Sequence, residues 1–302
     1  MSSSSTPRVH RYVTKDFTVR AAAVDATAVV REMQALQGAK ALPSLAIGRA
    51  MVGAMLLAAQ QKQGHQVGVY IRCQGPLRAV YAEAHFEGQV RGYSPMTHYE
   101  PANYNNEYNL KEAIGEGSLT IARHQPFQKA PHQGTVNLVS GEIGEDIAHY
   151  LIQSHQIRSL VSVGVYLDAY GQVRSAGGVI IEVMPGVEDQ LVEKIQKNSE
   201  LHKVPVSQLL FDGAQTIDLV KPYFDGIEFI EIDHDFPLTY TCPCTKERVV
   251  RALETLGLQE LEDMINKNEK ADVTCQVCGR PYLIDIEELT VLKNLLYKNS
   301  LN

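Results

Sequence analysis

The sequence contains no tryptophan, and aromatic residues make up only 7% of its 302 positions. It also lacks an excess of basic residues: the formal net charge is −7 at neutral pH, so the positive surface that supplies most nucleic-acid affinity is missing. Residues 1–11 are polar and serine-rich, without the apolar stretch of a secretory signal. These absences predict a cytoplasmic protein that does not bind nucleic acid.

The longest apolar run, residues 41–59, lacks the uniform hydrophobicity of a membrane span. It carries Arg49 near its centre, together with Ser44, Gly48 and Gly53, and a central charge is costly in a bilayer. Because the run is apolar on nearly every side, it predicts a helix with protein all round it and no membrane association.

Apolar residues make up 44% of the chain and charged residues 21%, which excludes a disordered or a fibrous protein. Residues 1–184 combine strand signals of period two with helix signals, and short turns between strands indicate antiparallel pairing. The predicted fold class is α+β, with an N-terminal core of antiparallel sheets that enclose the buried helix. The predicted strands cover residues 66–73, 77–84, 89–93, 119–122, 134–139, 161–167 and 178–183.

The distribution of charge divides the chain further. Residues 1–184 carry a net charge of +2, residues 185–235 carry −7, and residues 236–302 carry −2. The acidic middle segment has helical periodicity interrupted by proline and glycine, so we interpret it as a largely helical regulatory linker. From the pattern alone, an ordinary helical subdomain is an equally good interpretation.

The last 67 residues, 236–302, are few for a domain that folds without help. Four of the five cysteines fall within them: Cys242 and Cys244 have one residue between them, and thirty residues later Cys275 and Cys278 have two. Outside a secreted protein, such pairs indicate metal binding or redox chemistry more often than structural disulfides. Four thiolates suit one tetrahedral Zn²⁺ per chain, which predicts a small C-terminal zinc-binding domain with four cysteine ligands.

A zinc ion with four cysteine ligands has no open position for a catalytic water, so the pattern does not predict an enzyme. A purely structural zinc site is one interpretation. The other is a redox switch, because the thiolate is the oxidisable form of cysteine and an oxidant can convert a pair of thiolates to a disulfide. The fifth cysteine, Cys73, lies on the apolar face of a predicted strand, where we expect a buried thiol without a redox role.

The cysteine motifs and their surroundings resemble a known family. Cys244 is followed by Thr-Lys-Glu-Arg-Val and Cys278 by Gly-Arg-Pro-Tyr. In these positions the chain is similar to the redox-regulated holdase chaperones called the 33 kDa chaperonin or heat shock protein 33 family. The resemblance covers nearly the whole chain, with further matching blocks at residues 75–77, 90–93, 117–120, 141–150, 176–178 and 184–185.

The resemblance implies an ATP-independent chaperone that is zinc-bound and inactive when reduced, with Cys242, Cys244, Cys275 and Cys278 as the metal ligands. On oxidation it implies two redox-active disulfides, Cys242 with Cys244 and Cys275 with Cys278, and loss of zinc. The C-terminal domain and the linker would then unfold. The chain would form a homodimer that binds unfolded or oxidatively damaged client proteins.

Two positions depart from the family pattern. His155 stands where the family usually has glutamate, and Glu182 stands where glutamine is common before the Met-Pro pair. Neither position lies in the cysteine motifs, so the metal and redox interpretation is unaffected.

Several other polar residues receive ordinary structural interpretations. The ten histidines, including His149, His155 and His234, show no paired ligand spacing. Adjacent acidic residues on a helix point in different directions, so Glu145 and Asp146 are typical of a solvated first turn.

Two other functions are considered for the cysteine-containing domain. One is a constitutive zinc-ribbon adaptor or nucleic-acid-binding protein, against which its net charge of −2 argues. The other is a thiol-disulfide oxidoreductase that uses Cys275 and Cys278. That chemistry prefers a reactive thiol at a helix start, whereas the predicted helix begins about ten residues after the cysteines.

Overall fold

The structure, a computed structural model, describes residues 6–101, 108–187, 189–201 and 203–300. Residues 1–5 of the N-terminus, on which the prediction of a missing signal sequence partly rests, lie outside these ranges. The chain divides into two compact units, Met1–Thr241 and Cys242–Asn302, each with an apolar core of its own. The predicted division into residues 1–184, 185–235 and 236–302 stays a prediction.

The first unit contains the strands and helices from which its two sheets are built. Its strands are β1 (Val9–Thr14), β2 (Val19–Asp25), β3 (Gln66–Cys73), β4 (Ala79–His85), β5 (Gln89–Tyr93), β6 (Gly117–His124), β7 (His132–Asn137), β8 (Arg158–Leu167), β9 (Val173–Val183), β10 (Phe229–Ile232) and β11 (Thr239–Tyr240). Its helices are α1 (Thr27–Gln37), α2 (Ala41–Ala59), α3 (Leu110–Ile114), α4 (Gly144–His155), α5 (Asp189–Leu201), α6 (Val206–Phe211) and α7 (Thr216–Val220).

These strands form a five-stranded and a six-stranded sheet. The five-stranded sheet has the order β10-β1-β2-β9-β8 and is antiparallel throughout. The six-stranded sheet has the order β11-β5-β4-β3-β6-β7, in which β11 pairs with β5 in parallel and its other pairs are antiparallel. The predicted α+β class with antiparallel sheets is confirmed, and the predicted three-strand meander is β3, β4 and β5.

Helix α2 fills the space between the sheets. Seventeen of its 19 residues are buried, and it packs on β3, β4 and β5 of one sheet and on β2, β8 and β9 of the other. Among the described residues it is the one helix long and apolar enough to cross a membrane, and 89% of that segment is buried inside the protein. The prediction of a helix enclosed by sheet layers is therefore confirmed.

Helices α5, α6 and α7 cover the face of the five-stranded sheet opposite to α2. Their buried side chains form a second apolar cluster with sheet residues that alternate with those facing α2, as the two-residue period of a strand requires. The helix residues buried in this cluster are Ile195, Val206, Leu210, Leu219 and Val220. The acidic segment also contributes β10, which pairs with β1 at the sheet edge and which the helical pattern did not predict.

Helix α6 lies unusually close to the sheet because glycine occupies both facing strands. A Cβ atom at Gly164 of β8 would lie 2.7 Å from Ser207 Oγ, and one at Gly177 of β9 would lie 2.4 Å from Leu210 Cδ1. The Ser175 hydroxyl also donates a hydrogen bond to the Ser207 carbonyl. Gly177 thus allows a close approach of α6 as well as of the neighbouring strand β2.

The second unit is a small α/β module around one hairpin. Its hairpin strands pair in antiparallel register from Ala271 opposite Ile284 to Thr274 opposite Pro281. A capping box begins its last helix, since Glu288 N donates to Asp285 Oδ1 at 2.9 Å and Asp285 N to Glu288 Oε2 at 3.0 Å. Its elements are α8 (Lys246–Leu253), a 3₁₀ turn (Glu254–Leu256), α9 (Leu258–Asn266), β12 (Ala271–Thr274), β13 (Pro281–Ile284) and α10 (Ile286–Ser300).

In the first turn of α4, Glu145 is exposed as predicted, whereas Asp146 is not. Asp146 is fully buried, and its Oδ1 accepts hydrogen bonds from the backbone N–H groups of Val139 (2.7 Å) and Ser140 (3.1 Å). The carboxylate therefore fixes the loop that leads from β7 into α4. The sequence pattern missed this role because the bonded groups lie six and seven residues upstream, outside the helix.

Gly164→Ala is expected to weaken the packing of α6 on the five-stranded sheet, since the new methyl group would overlap Ser207. Overpacking of this kind costs about 1–3 kcal/mol. Amide hydrogen exchange in residues 206–211 should accelerate while the amides of α2 stay protected. The control is Gly164→Ala combined with Ser207→Gly, which removes the opposing side chain and should restore part of the protection. Equal exchange in Gly164→Ala and the wild type would contradict the close packing of α6 against Gly164.

Candidate metal centre

Two separate segments of the second unit bring the four predicted cysteines together. Cys242 and Cys244 lie in the extended segment just before α8, and Cys275 and Cys278 lie in the turn that joins β12 to β13. All four side chains are half-buried free thiols. The pair at 275 and 278 thus occupies a hairpin turn and not the start of a helix, which weakens the oxidoreductase interpretation.

The sulfur atoms form one compact group. All four Sγ atoms lie within 4.8 Å of one another. The Sγ atoms of Cys242 and Cys275 are 3.7 Å apart, and those of Cys244 and Cys278 are 3.3 Å apart. Such a group of soft donors could hold a metal ion.

Hydrogen bonds at the start of α8 hold the first cysteine pair. Thr245 is the N-cap of α8, where its Oγ1 accepts a hydrogen bond from Arg248 N at 3.3 Å, and the Arg248 guanidinium donates to the Pro243 carbonyl at 3.0 Å. These contacts fix the segment that carries Cys242 and Cys244 against the first turn of the helix.

The second pair sits in a tight turn closed by backbone hydrogen bonds. Cys275 N donates to Arg280 O at 2.9 Å, and Gly279 N donates to Cys275 O at 2.8 Å. Gly279 has φ of 68°, a left-handed conformation that favours glycine. The turn thereby brings both thiols into the same group of sulfur atoms.

Tyr282 is a member of the site that sequence reasoning did not single out. Its hydroxyl donates to Cys244 Sγ at 3.0 Å and lies 3.1 Å from the Cys244 carbonyl oxygen. It reaches this position from β13, opposite Val273 in the hairpin register. Its appearance four residues after Cys278, within the motif, is the signal that could have indicated it.

The four thiols are electrostatically unequal. Burial raises the pKa of Cys244, but hydrogen bonds from Tyr282 and from the other three cysteines outweigh this effect and bring the pKa to about 7. Burial raises the pKa of Cys242 to about 12, and burial also raises the pKa of Cys278. Cys244 is thus the thiol whose hydrogen bonds favour the thiolate form, and a cation among the sulfurs would favour that form further.

The fifth cysteine is not part of this group. Cys73 ends β3 in the first unit, where it is half-buried against the core and burial raises its pKa. The structure agrees with the expected apolar setting of this thiol, although its burial is less complete than predicted.

The comparison with known proteins covers both units. The model of the family described as Hsp33 protein matches residues 8–285 of the chain. The 33 kDa chaperonin of Limosilactobacillus fermentum is 35% identical over 278 residues, which cover 90% of this chain and 94% of that protein. The 33 kDa chaperonin of Bacillus subtilis is 34% identical over 283 residues, which cover 92% and 95%.

The fold is also similar to that of a solved structure. The crystal structure of the 33 kDa chaperonin (heat shock protein 33 homolog) from Thermotoga maritima has a TM-score of 0.84 and 32% sequence identity to this chain, and the match covers 96% of this chain and 99% of that one. The family match includes all four clustered cysteines. The chain therefore belongs to the Hsp33 family of chaperones.

Proposed function

We propose that this protein is a holdase chaperone whose activity is switched by the oxidation state of its four clustered cysteines. The observation that carries the proposal is the group of four Sγ atoms within 4.8 Å in a chain of the Hsp33 family. When reduced, the protein would bind one Zn²⁺ and be inactive. When oxidised, it would hold unfolding client proteins without ATP and so prevent their aggregation.

The donor set fits Zn²⁺. Four sulfur ligands at about 2.3 Å from a tetrahedral ion lie about 3.8 Å from one another, close to the 3.7 Å between the Sγ atoms of Cys242 and Cys275. We propose Cys242, Cys244, Cys275 and Cys278 as the ligands. A bound Zn²⁺ would supply positive charge to the thiolates and cross-link their two segments, with no coordination position left for a catalytic water.

Besides the cysteine cluster, the second unit has only a small apolar core to stabilise it. It is a unit of about 60 residues, a size at which an apolar core alone rarely suffices. Its buried apolar residues are Val249, Leu253, Leu261, Ala271, Tyr282, Ile284, Leu289 and Leu292. Structural zinc contributes about 10–16 kcal/mol of apparent free energy in comparable small domains. We therefore infer that the folded second unit depends on the intact thiolate cluster.

Oxidation would remove the ligands two at a time. Two thiolates give two electrons to one peroxide molecule, which takes up two protons and becomes two molecules of water, while the sulfurs form a disulfide. We propose that Cys242 pairs with Cys244 and Cys275 with Cys278, which consumes two peroxide molecules per chain. The two Sγ atoms of each proposed pair lie within 4.8 Å of one another.

Loss of the metal-ligating thiolates would unfold the second unit, and we propose that residues 185–235 loosen with it. Helices α5, α6 and α7 cover an apolar face of the five-stranded sheet. Their release would expose this face, which suits the apolar segments of unfolding proteins. The sheet residues in the covered cluster are Tyr12, Val19, Ala21, Ala23, Val179, Ile181 and Val183. Homodimerisation on activation and a cytoplasmic location are part of the same proposal.

Oxidation should release zinc and create holdase activity together. Treatment of the reduced protein with peroxide at elevated temperature should free about one Zn²⁺ per chain, measured with a chromogenic chelator, because disulfides no longer ligate the ion. The same sample should suppress the aggregation of an unfolding test protein in light scattering. Suppression of equal strength by the reduced, zinc-loaded protein would rule out the switch.

Cysteine variants provide the matched controls for this experiment. Cys242→Ser should lose stoichiometric zinc and destabilise the second unit, whereas Cys73→Ser should bind and release zinc like the wild type. Retention of one Zn²⁺ by Cys242→Ser would remove Cys242 from the ligand set.

Tyr282→Phe should make metal uptake require a higher pH. The variant loses the hydrogen bond that favours the Cys244 thiolate, and a hydrogen bond to a charged group is worth about 1.5–3 kcal/mol, or about 1–2 pKa units for that thiol. Metal uptake removes up to four protons, and the pKa of only one of the four thiols changes. The midpoint pH of Co²⁺ binding should therefore rise by about a quarter of the change in that pKa, roughly 0.3–0.5 units. The thiolate-to-cobalt absorption measures it. Tyr170→Phe, at an exposed site in the first unit, is the control, and equal midpoints in both variants would contradict the role of Tyr282.

A further inference from the structure

A short segment, residues 233–241, connects β10 to the first cysteine, and we call it the strap. It runs along the first unit through backbone hydrogen bonds: Leu238 N to Pro7 O (2.8 Å), Thr239 N to Gly88 O (3.1 Å) and Thr241 N to Val90 O (2.9 Å). The strap thus adds β11 to the edge of the six-stranded sheet, beside β5. Cys242, the first cysteine of the cluster, follows it directly.

The strap is anchored by the imidazole ring of His234, which is buried between two phenylalanines. Only 6% of His234 is exposed, and its ring centroid lies 4.6 Å from that of Phe86 and 5.4 Å from that of Phe236. The two phenylalanine rings themselves are 5.6 Å apart. His234 therefore occupies an apolar box, which corrects its interpretation from sequence as an ordinary polar residue.

Both ring nitrogens of His234 are buried in this box, and within the described part of the chain neither makes a hydrogen bond. A neutral imidazole in such a place loses modest hydration, whereas an imidazolium would be a buried cation with no carboxylate partner, which is far more costly. Backbone groups of Phe86 and Val9 favour the protonated ring, but their effect is smaller than that of burial.

The charged groups around the box do not supply a counter-ion. Arg11 of β1 lies with its Cζ 5.8 Å from the centre of the Phe86 ring, so the nearest charge is itself positive. The nearby carboxylates are engaged elsewhere: Asp235 with Arg8 at 2.6 Å, and Glu87 with the backbone N–H of Gly64 at 2.6 Å. The phenylalanine rings would attract a second cation only weakly, since Arg11 already lies over Phe86.

These surroundings determine how the stability of the anchored strap changes with pH. Burial lowers the pKa of His234, the charge of Arg11 lowers it further, and backbone groups of His234, Phe86 and Val9 only partly offset these effects. The unfolded strap therefore binds a proton more tightly than the anchored strap. The anchor is at full strength above the ordinary histidine pKa of about 6.5 and weakens as the pH falls below it.

We propose that His234 is a pH-sensitive anchor: the neutral ring holds the strap on the first unit, and proton uptake expels the ring from the Phe86–Phe236 box and frees residues 233–241. The device is separate from the oxidation of the cysteines, because it operates in the reduced, metal-loaded protein. It would make the chain segment next to Cys242 respond to acidification as well.

Hydrogen exchange of the reduced, zinc-loaded protein between pH 7.5 and pH 5.5 tests this proposal. After correction for intrinsic exchange rates, the opening of the Leu238, Thr239 and Thr241 amides should increase as the pH falls below 6.5, by up to about tenfold per pH unit. The amides of the β12–β13 hairpin are the internal reference for the metal centre and should keep their protection over the same range.

Two variants separate titration from packing. His234→Phe keeps an aromatic ring in the box but cannot take up a proton, so the strap should stay protected down to pH 5.5. His234→Gln should exchange faster at pH 7.5 but with no added response to acid. The exposed His132→Phe should behave like the wild type. A strap that opens only together with the β12–β13 hairpin, or with the same acid response in His234→Phe as in the wild type, would overturn the proposal.

Discussion

Four thiol groups held at close quarters are the constraint on which the proposed switch in the second unit depends. Their Sγ atoms lie within 4.8 Å although they come from segments thirty residues apart. The pKa of Cys244 is lowered, because the Tyr282 hydroxyl and the neighbouring thiols outweigh burial. Neighbouring thiolates repel one another. A divalent cation would offset this repulsion, and disulfide formation would remove the negative charge altogether. The interaction that would hold the unit together is therefore also the one that an oxidant attacks.

The two units differ in how much of their stability depends on any one contact. The core of the first unit surrounds α2, a helix buried along almost its whole length between two sheets. The second unit buries few apolar residues, and large ones such as Val291 and Leu295 on α10 remain more than half exposed. Loss of one stabilising contact is a small fraction of the first core and a large fraction of the second. This contrast gives the proposed switch its physical basis, because the folded first unit can persist while the second unfolds.

Sequence reasoning succeeded where the signal is local. The apolar run of α2, the meander of β3 to β5, the capping box at Asp285 and Glu288 and the cysteine motifs are each visible within a few residues. It failed where a residue's environment is assembled from distant segments. Asp146 bonds a loop outside its helix, His234 is enclosed by Phe86 from the turn between β4 and β5, and β10 takes its strand conformation from pairing with β1 more than 200 residues earlier. A pattern within one segment contains none of this information.

His155 and Glu182 illustrate the same limit, since they look independent in the sequence and act on one network of charges. Arg123 Nη1 donates to His155 Nε2 at 2.8 Å, and Arg20 Nε donates to Glu182 Oε2 at 2.6 Å. Burial lowers the pKa of Arg123, Tyr150 and Glu182 act in the opposite direction, and Arg20 adds a smaller lowering. Burial and Arg123 lower the pKa of His155, so its ring is neutral near pH 7 and brings no negative charge to the guanidinium. The carboxylate of Glu182, which pairs with Arg20, also raises the pKa of Arg123, so His155 and Glu182 act on one guanidinium.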